Sequence, residues 1–380
     1  MTTPTKEDAG HNAPQGSSPT MSSTTSPTTS PTSSPVTAPR ASRTGPVLPR
    51  LIAPVVLAGI LLVFSILSPV FFSGDNLLGV LNQAAILALV AIGMTVVVRA
   101  GGIDLSIGVA LDLAALAAAA TIAEGYVPWV AVTVGLAFGA SVGLVNAFLI
   151  VVLRIPSFLA TLSVWFIGTS VQQLLTGGGA PIYLQKSRVP EGFALWGNGS
   201  LLGVPIPLVL AAVVAVVVYV ALDKTRWGRE LTVTGEQRTA SRISGKRVSG
   251  LAVSAYLIGA GAAALGGVVL ASRTYAFIPA SGQLYVMDAI GAVFIGATLS
   301  RFGRVSVPGT LVGVLIFALL ANGMNLIGLS FFWQGLARGV ALLVVLLLGI
   351  LLTRTPRTPP ALVRLLAPLT ASASPSTKGR

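Results

Sequence analysis

The segment Asp223–Arg247, DKTRWGRELTVTGEQRTASRISGKR, lies between two apolar runs and carries seven Lys/Arg against three Asp/Glu. The other long polar interruption, Gly177–Gly203, carries only two Lys/Arg. An excess of Lys and Arg marks the loops that stay inside the cell, so 223–247 is read as cytoplasmic. The same stretch predicts a short helix with both ends specified. Thr234 and Gln237 fit a capping box, in which the two side chains serve free backbone N–H groups. Gly245 fits the left-handed stop position. Glu236 would then stand at the positive end of the helix dipole and Arg242 near the negative end. An ordered helix at this place is a surface on which a partner docks; the plainer alternative is a solvated basic loop.

Working outward, hydrophobic residues make up 53% of the chain and charged residues 9%, against about 25% charged in an ordinary soluble domain. This is a composition for lipid. The net charge of +13 is spread between and beside apolar runs, where it orients the chain and meets anionic headgroups, so no nucleic-acid partner is expected. Cysteine is absent and the single histidine is His11. Disulfides, thiolate chemistry, a His-ligated metal site and a Ser-His arrangement inside the membrane are therefore excluded. No nucleotide-binding loop is present: at Gly245-Lys246, Arg247 stands where Ser or Thr is needed and Ala240 where the first Gly is needed. The chain is not expected to be an enzyme or to bind a cofactor, and any ATP must be hydrolysed by another chain.

Residues 1–49 are rich in Ser, Thr and Pro and read as a disordered cytoplasmic tail. They lack the apolar stretch of a signal peptide, and the first apolar run, from Leu51, reads as a retained anchor. Residues 354–380 form a second cytoplasmic tail, in which ALVRLLAPL is a candidate for the membrane surface. Between them, 50–353 reads as an all-α polytopic membrane domain. Its ten spans, at about 20 residues each, are 51–72, 78–98, 103–123, 127–153, 156–176, 204–222, 248–272, 284–300, 308–328 and 331–353. With both termini inside, Arg40, Arg43, Arg50, Arg99, Arg154, the seven-charge loop, Arg301, Arg304, Arg354 and Arg357 fall inside. Only Lys186, Arg188 and Arg273 remain outside. Runs such as LAALAAAA and LIGAGAAALGG let helices approach closely, which suits packing within lipid.

The polar residues of the spans are the candidate pathway. Arg99-Ala-Gly-Gly-Ile-Asp-Leu-Ser106 predicts a broken helix, with Asp104 either capping the next half or serving transport, and Ser106 beside it. Asp112 and Asp288 are the other intramembrane carboxylates, read as structural partners of a cation such as Arg338 or as proton relays. Asn82, Gln83, Asn322, Asn325 and Gln334 are neutral hydrogen-bonding groups in or beside spans. Together with Trp333 as an aromatic platform they suit a neutral polyol; each serves equally well as glue between helices or, for the Trp, as an interfacial anchor.

Four segments carry a resemblance. AIGMTVVVRAGGIDLSIGVAL (91–111), IPSFLATLSVWFIGTSV (155–171), GRELTVTGEQRTASRISGKRV (228–248) and the run from Met287 to Leu343 resemble, in order and spacing, the ribose- and xylose-type permeases of ATP-binding-cassette (ABC) importers. The resemblance covers about Leu51 to Thr353. It implies a multi-pass bacterial inner-membrane protein that imports a monosaccharide. Its partners would be a second permease copy or close homologue, a cytoplasmic ABC ATPase and an extracytoplasmic sugar-binding protein. By matching position, Gly235–Gly245 is the ATPase-coupling segment, with Gly235, Glu236, Arg238, Ala240, Arg242 and Gly245 its key residues. Asp104 and Asp288 match acidic positions of the family. The chain departs from the pattern in having one Gly before Glu236, and Ser300-Arg301-Phe302-Gly303-Arg304 at a turn that is usually glycine-rich. The rival classes are an ion-coupled secondary carrier using Asp104, Asp112 or Asp288, an ABC permease for nucleosides, an intramembrane aspartyl enzyme and a passive pore.

Overall fold

The computed structural model describes residues 51–300 and 303–353. The predicted tails, 1–49 and 354–380, and the Arg301-Phe302 pair lie outside the described residues.

Helix dominates because a helix satisfies its own backbone polar groups where water is absent. In chain order the helices are α1 (Ile52–Leu67), α2 (Gly74–Arg99), α3 (Ile107–Ala123), α4 (Pro128–Ala147), α5 (Ser157–Leu175), α6 (Glu191–Asn198) and α7 (Ile206–Lys224). They continue with α8 (Arg226–Glu236), α9 (Arg238–Ile243), α10 (Val248–Thr274), α11 (Gly282–Thr298), α12 (Val307–Leu326) and α13 (Phe331–Thr353). A π-helical turn, Phe148–Val152, extends α4. Six of these helices are long and apolar enough to cross a membrane: α2, α4 with its π turn, α5, α7, α10 and α12. Four apolar helices, α1, α3, α11 and Phe332–Val345 of α13, are shorter.

Burial separates inner from outer helices. Every residue from Ala84 to Val97 of α2 and from Ile107 to Ala119 of α3 is buried, the signature of helices surrounded by protein. In α7 the buried residues are Pro207, Ala211, Ala215, Val218 and Leu222, a single stripe at helical spacing, with Val213, Val216, Val217 and Val220 exposed away from it. Small residues set the inner spacing. A Cβ on Gly93 of α2 would lie 2.6 Å from the Gly259 carbonyl of α10, and one on Gly267 would lie 2.1 Å from the Leu111 carbonyl of α3. Those backbones touch directly, as small-residue packing in lipid requires.

The predicted break between the second and third spans is present. α2 stops at Arg99, the chain turns through Gly101 at φ +80°, and α3 starts at Ile107. The all-α expectation is modified in two small places. β1 (Ile182–Tyr183) pairs antiparallel with β4 (Ala276–Phe277), and β2 (Ser200–Leu201) with β3 (Val204–Pro205). The second hairpin turns through Leu202 and Gly203, both at positive φ, the turn that matches strand twist. α6 docks in the same loop region, where the Gly197 N–H donates to Ser272 Oγ of α10 at 2.8 Å.

Candidate functional site: an anchored elbow and a polar cavity

The basic segment folds as two helices at an elbow. Thr225 starts α8 by accepting from the Gly228 N–H at 3.3 Å. Glycine is required at 228, because a Cβ there would lie 2.1 Å from the Leu222 carbonyl. Leu231 is fully buried and pins α8 to the bundle. α8 ends at Glu236, Gln237 leaves the helical region (φ −143°, ψ 74°), and α9 follows at once.

The capping-box expectation is therefore corrected. Thr234 lies inside α8 and its buried hydroxyl has no hydrogen-bond partner. Gln237 is the joint: its N–H donates to the Val233 carbonyl at 2.9 Å and its carbonyl accepts from the Ser241 N–H at 3.0 Å. The physical reason is that tertiary packing carries α8 past Thr234, so the N–H groups a cap would serve already bond within the helix. Glu236 accordingly stands at the negative end of α8. Its carboxylate accepts a 3.0 Å hydrogen bond from Arg304, which supplies the stabilisation the dipole does not. Arg242 occupies the last turn of α9, and Gly245 (φ +72°) ends it in the left-handed region as expected.

The elbow is tied to the α2–α3 break at two levels. Arg99, the last residue of α2, donates from Nη2 to Asp223 Oδ1 (2.7 Å), from Nε to Thr232 Oγ1 (2.8 Å) and from Nη1 to the Val305 carbonyl (2.7 Å). One guanidinium thus gathers the end of α7, the middle of α8 and the approach to α12. Beside it, backbones meet. A Cβ on Gly235 would lie 2.3 Å from the Arg99 carbonyl, and one on Gly101 would lie 2.7 Å from the Gly235 carbonyl. Lys246 Nζ to Glu230 Oε1, at 2.6 Å, ties the chain after α9 back to α8. Hydrogen bonds from Lys246 and then Arg226 hold the Glu230 carboxyl below the usual carboxylate range.

The break has its own buried network. Asp104 Oδ1 accepts from the Ser106 N–H (2.9 Å) and Ser106 Oγ (2.6 Å), and Asn146 Nδ2 of α4 donates to Ser106 Oγ at 2.6 Å. Thr161 of α5 donates to the Ile103 carbonyl at 3.1 Å. All four side chains are fully buried. They join α3, α4 and α5 around the irregular backbone, which is how a non-helical segment survives at this depth.

A separate cavity of about 470 Å³ opens between α2, α11, α12 and α13. Its polar lining is Gln83, Tyr285, Asp288, Asn325, Gln334 and Arg338, set among Leu87, Phe317 and Leu329. Asp288 and Arg338 form an ion pair at 3.1 Å, and Gln334 Nε2 donates to Asn325 Oδ1 at 2.6 Å.

Of the pathway candidates, the fold thus gathers Gln83, Asp288, Asn325 and Gln334. It sets Asp104 and Ser106 in the buried network. Asn322 exchanges side-chain hydrogen bonds with Asn76 at 2.9 and 3.0 Å, the backbone carbonyl of Asn82 accepts from Arg273 Nη1 at 3.1 Å, and Trp333 is exposed. Arg338, named in the sequence reading as a partner for a carboxylate, pairs with Asp288. Asp112 pairs with no cation among the described residues: it accepts from Ser281 Oγ (2.9 Å) and the Gly282 N–H (2.7 Å) at the start of α11. Arg99 as a clamp and Tyr285 as a cavity residue were missed by sequence reasoning. The scarcity of charge at a span end was the available signal for Arg99, and none pointed to Tyr285.

Residues 76–354 match the family described as branched-chain amino acid transport system / permease component. The chain is similar to the ribose import permease protein RbsC of Bacillus subtilis, 37% identical over 289 residues, covering 76% of this chain and 89% of that one. Against the ribose import permease protein RbsC of Escherichia coli (strain K12) identity is 35% over 297 residues, covering 78% and 91%. Against the galactofuranose transporter permease protein YtfT of the same strain it is 30% over 309 residues, covering 79% and 88%. No solved structure matches the chain.

Proposed function

This chain belongs to the branched-chain amino acid transport system / permease component family, and we infer that it is the multi-pass inner-membrane permease of a bacterial ABC importer for a monosaccharide. The observation that carries the reading is its similarity to ribose permeases over three quarters of its length. A pentose such as ribose is the first substrate to test.

We assign ten crossings with both termini in the cytoplasm, the arrangement that leaves the fewest Lys and Arg outside. Two permease copies, identical or homologous, form the pathway. A separate ABC ATPase binds and hydrolyses the ATP, this chain holds no cofactor, and an extracytoplasmic binding protein delivers the sugar. The elbow from Gly235 to Gly245 is the ATPase-coupling segment, with Glu236 and Ala240 at the contact, Gly235 and Gly245 shaping it, and Arg238 and Arg242 on the side of α9 away from Ala240. Movement of the elbow reaches the bundle through Arg99 and the Gly235–Gly101 backbone contact, so the states of the cycle differ in contact free energy there, as coupling requires. The cavity lined by Gln83, Asp288, Asn325 and Gln334 is the sugar path within one protomer. Amide groups and an ion pair that exchanges partners with hydroxyls suit a neutral polyol.

The test is uptake of labelled ribose, xylose and galactofuranose by cells expressing the whole system. The reading expects uptake that needs ATP and survives collapse of the ion gradients. Uptake that persists without the ATPase and vanishes with the proton or sodium gradient would overturn it.

A further inference from the structure

Among the described residues, Arg99, Arg226, Lys246, Arg304 and Arg338 are in ion pairs. Arg154, Arg238 and Arg242 have no such partner among the described residues, as is true also of Lys224, Arg229 and Arg247, and the first three line one cavity of about 570 Å³ with Ile150, Ile155, Pro156 and Ser249. The lining contains no carboxylate. Arg238 and Arg242 are four residues apart on α9 and so share a face. Ala240 and Ile243 lie on the other side of the same short helix, where Ile243 is 84% exposed. Three unpaired guanidinium groups around one concavity repel one another unless an anion sits among them.

The depth of the cavity says which anion. The residues just before and after Arg154 that face outward are apolar: Phe148, Val152, Leu153, Phe158 and Leu159 are each about half exposed or more. In a membrane protein this belt stands in acyl chains. Arg154 breaks the belt, at a left-handed φ of 58° where the π-helical turn ends, and so lies at the level where headgroups begin. A lipid phosphate stands at that level, on the side of α9 away from Ala240. Arginine is the side chain best matched to phosphate oxygens.

We propose that Arg154, Arg238 and Arg242 form a binding site for the phosphate of an anionic phospholipid, with its acyl chains lying along Phe148, Val152, Leu153, Phe158 and Leu159. The bound lipid holds one face of α9 to the membrane and leaves the Ala240–Ile243 face for the ATPase. The proposal rests on the membrane-embedded, inward-facing placement of the elbow, but not on ATPase docking or on the substrate.

The test purifies the permease complex in mild detergent and weighs its retained lipids by mass spectrometry. It is repeated after reconstitution into phosphatidylcholine vesicles with and without phosphatidylglycerol. The wild-type protein should carry phosphatidylglycerol enriched over the bulk membrane. Each Arg→Gln change should cut that enrichment about fivefold, the effect of one charge near an anionic surface. The triple variant R154Q/R238Q/R242Q should show none, and the corresponding triple Lys variant should keep most of it, which separates loss of charge from loss of fold. Arg229→Gln, outside the cavity, should leave it unchanged. Equal enrichment in the wild-type and the triple Gln variant would overturn the proposal. Loss of the ATPase from the triple Gln variant with lipid retained would overturn it too, and would give the arginines to an acidic surface of the ATPase.

Discussion

Replacing Arg99 with Met keeps the apolar stem and removes the guanidinium that joins α2, α7, α8 and the approach to α12. The Arg99 and Asp223 side chains are 12% and 26% exposed, so the pair lies between the buried and surface limits. Removing one partner of a buried pair costs about 3–5 kcal/mol, and an exposed pair contributes up to about 1 kcal/mol. At this exposure about 2 kcal/mol is appropriate. The lost bonds to Thr232 and the Val305 carbonyl add about 1 kcal/mol each, for a total of about 4 kcal/mol. At roughly 2 °C per kcal/mol for a chain of this size, the thermal midpoint in detergent should fall by about 8 °C. Asp223→Asn should cost about half as much, and the double variant should lose clearly less than the sum, because the two changes remove the same pair. Arg99→Lys reaches one acceptor instead of three. It should stay folded while ATP hydrolysis by the assembled importer continues and sugar uptake falls. A midpoint for Arg99→Met within about 2 °C of wild type, together with normal uptake, would refute the clamp.

The remaining expectations use the same geometry. Gly235→Ala places a methyl 2.3 Å from the Arg99 carbonyl and should force the elbow off the break. Overpacking of this kind costs about 1–3 kcal/mol, and uptake should fall further than the stability loss explains; normal uptake would mean the contact transmits nothing. Asp104→Asn keeps an acceptor for Ser106 and should change stability by under about 1 kcal/mol, whereas Asp104→Ala strands that hydroxyl and N–H and should cost about 2–3 kcal/mol; equal costs in a thermal scan would rule out the capping account. Asp288→Asn and Arg338→Gln should each impair uptake more than the double change does, because each alone leaves a charge unpaired within the membrane. Additive losses in labelled-sugar uptake would show that the two groups act separately.

Much of the fold was legible because lipid leaves few choices: apolar runs become helices, and Gly101-Gly102 followed by Asp104 and Ser106 marks a break. The elbow was legible as a place but not as a shape. The capping-box pattern at Thr234–Gln237 is local, whereas the actual end of α8 is set by backbone contact with Arg99 and Gly101, more than a hundred positions away in the chain. The cavity was legible only in part. Composition says that amides are present in the spans, but not which way they face. Asn82, Asn322 and Gln83 look alike in sequence, and only Gln83 lines the cavity with Asp288. Arg338 was legible as a partner for a carboxylate, because intramembrane charges are few and each needs a partner, but Asp112 and Asp288 were equally eligible in the sequence.

The claim that the elbow receives an ATPase is tested most directly by one crosslink. Ala240 is exposed on α9 and the chain contains no cysteine, so Ala240→Cys provides a single thiol. Crosslinked in membranes of the native host, it should capture a protein that contains a nucleotide-binding loop. Full labelling of the thiol by a small reagent, with no such protein attached, would contradict the account.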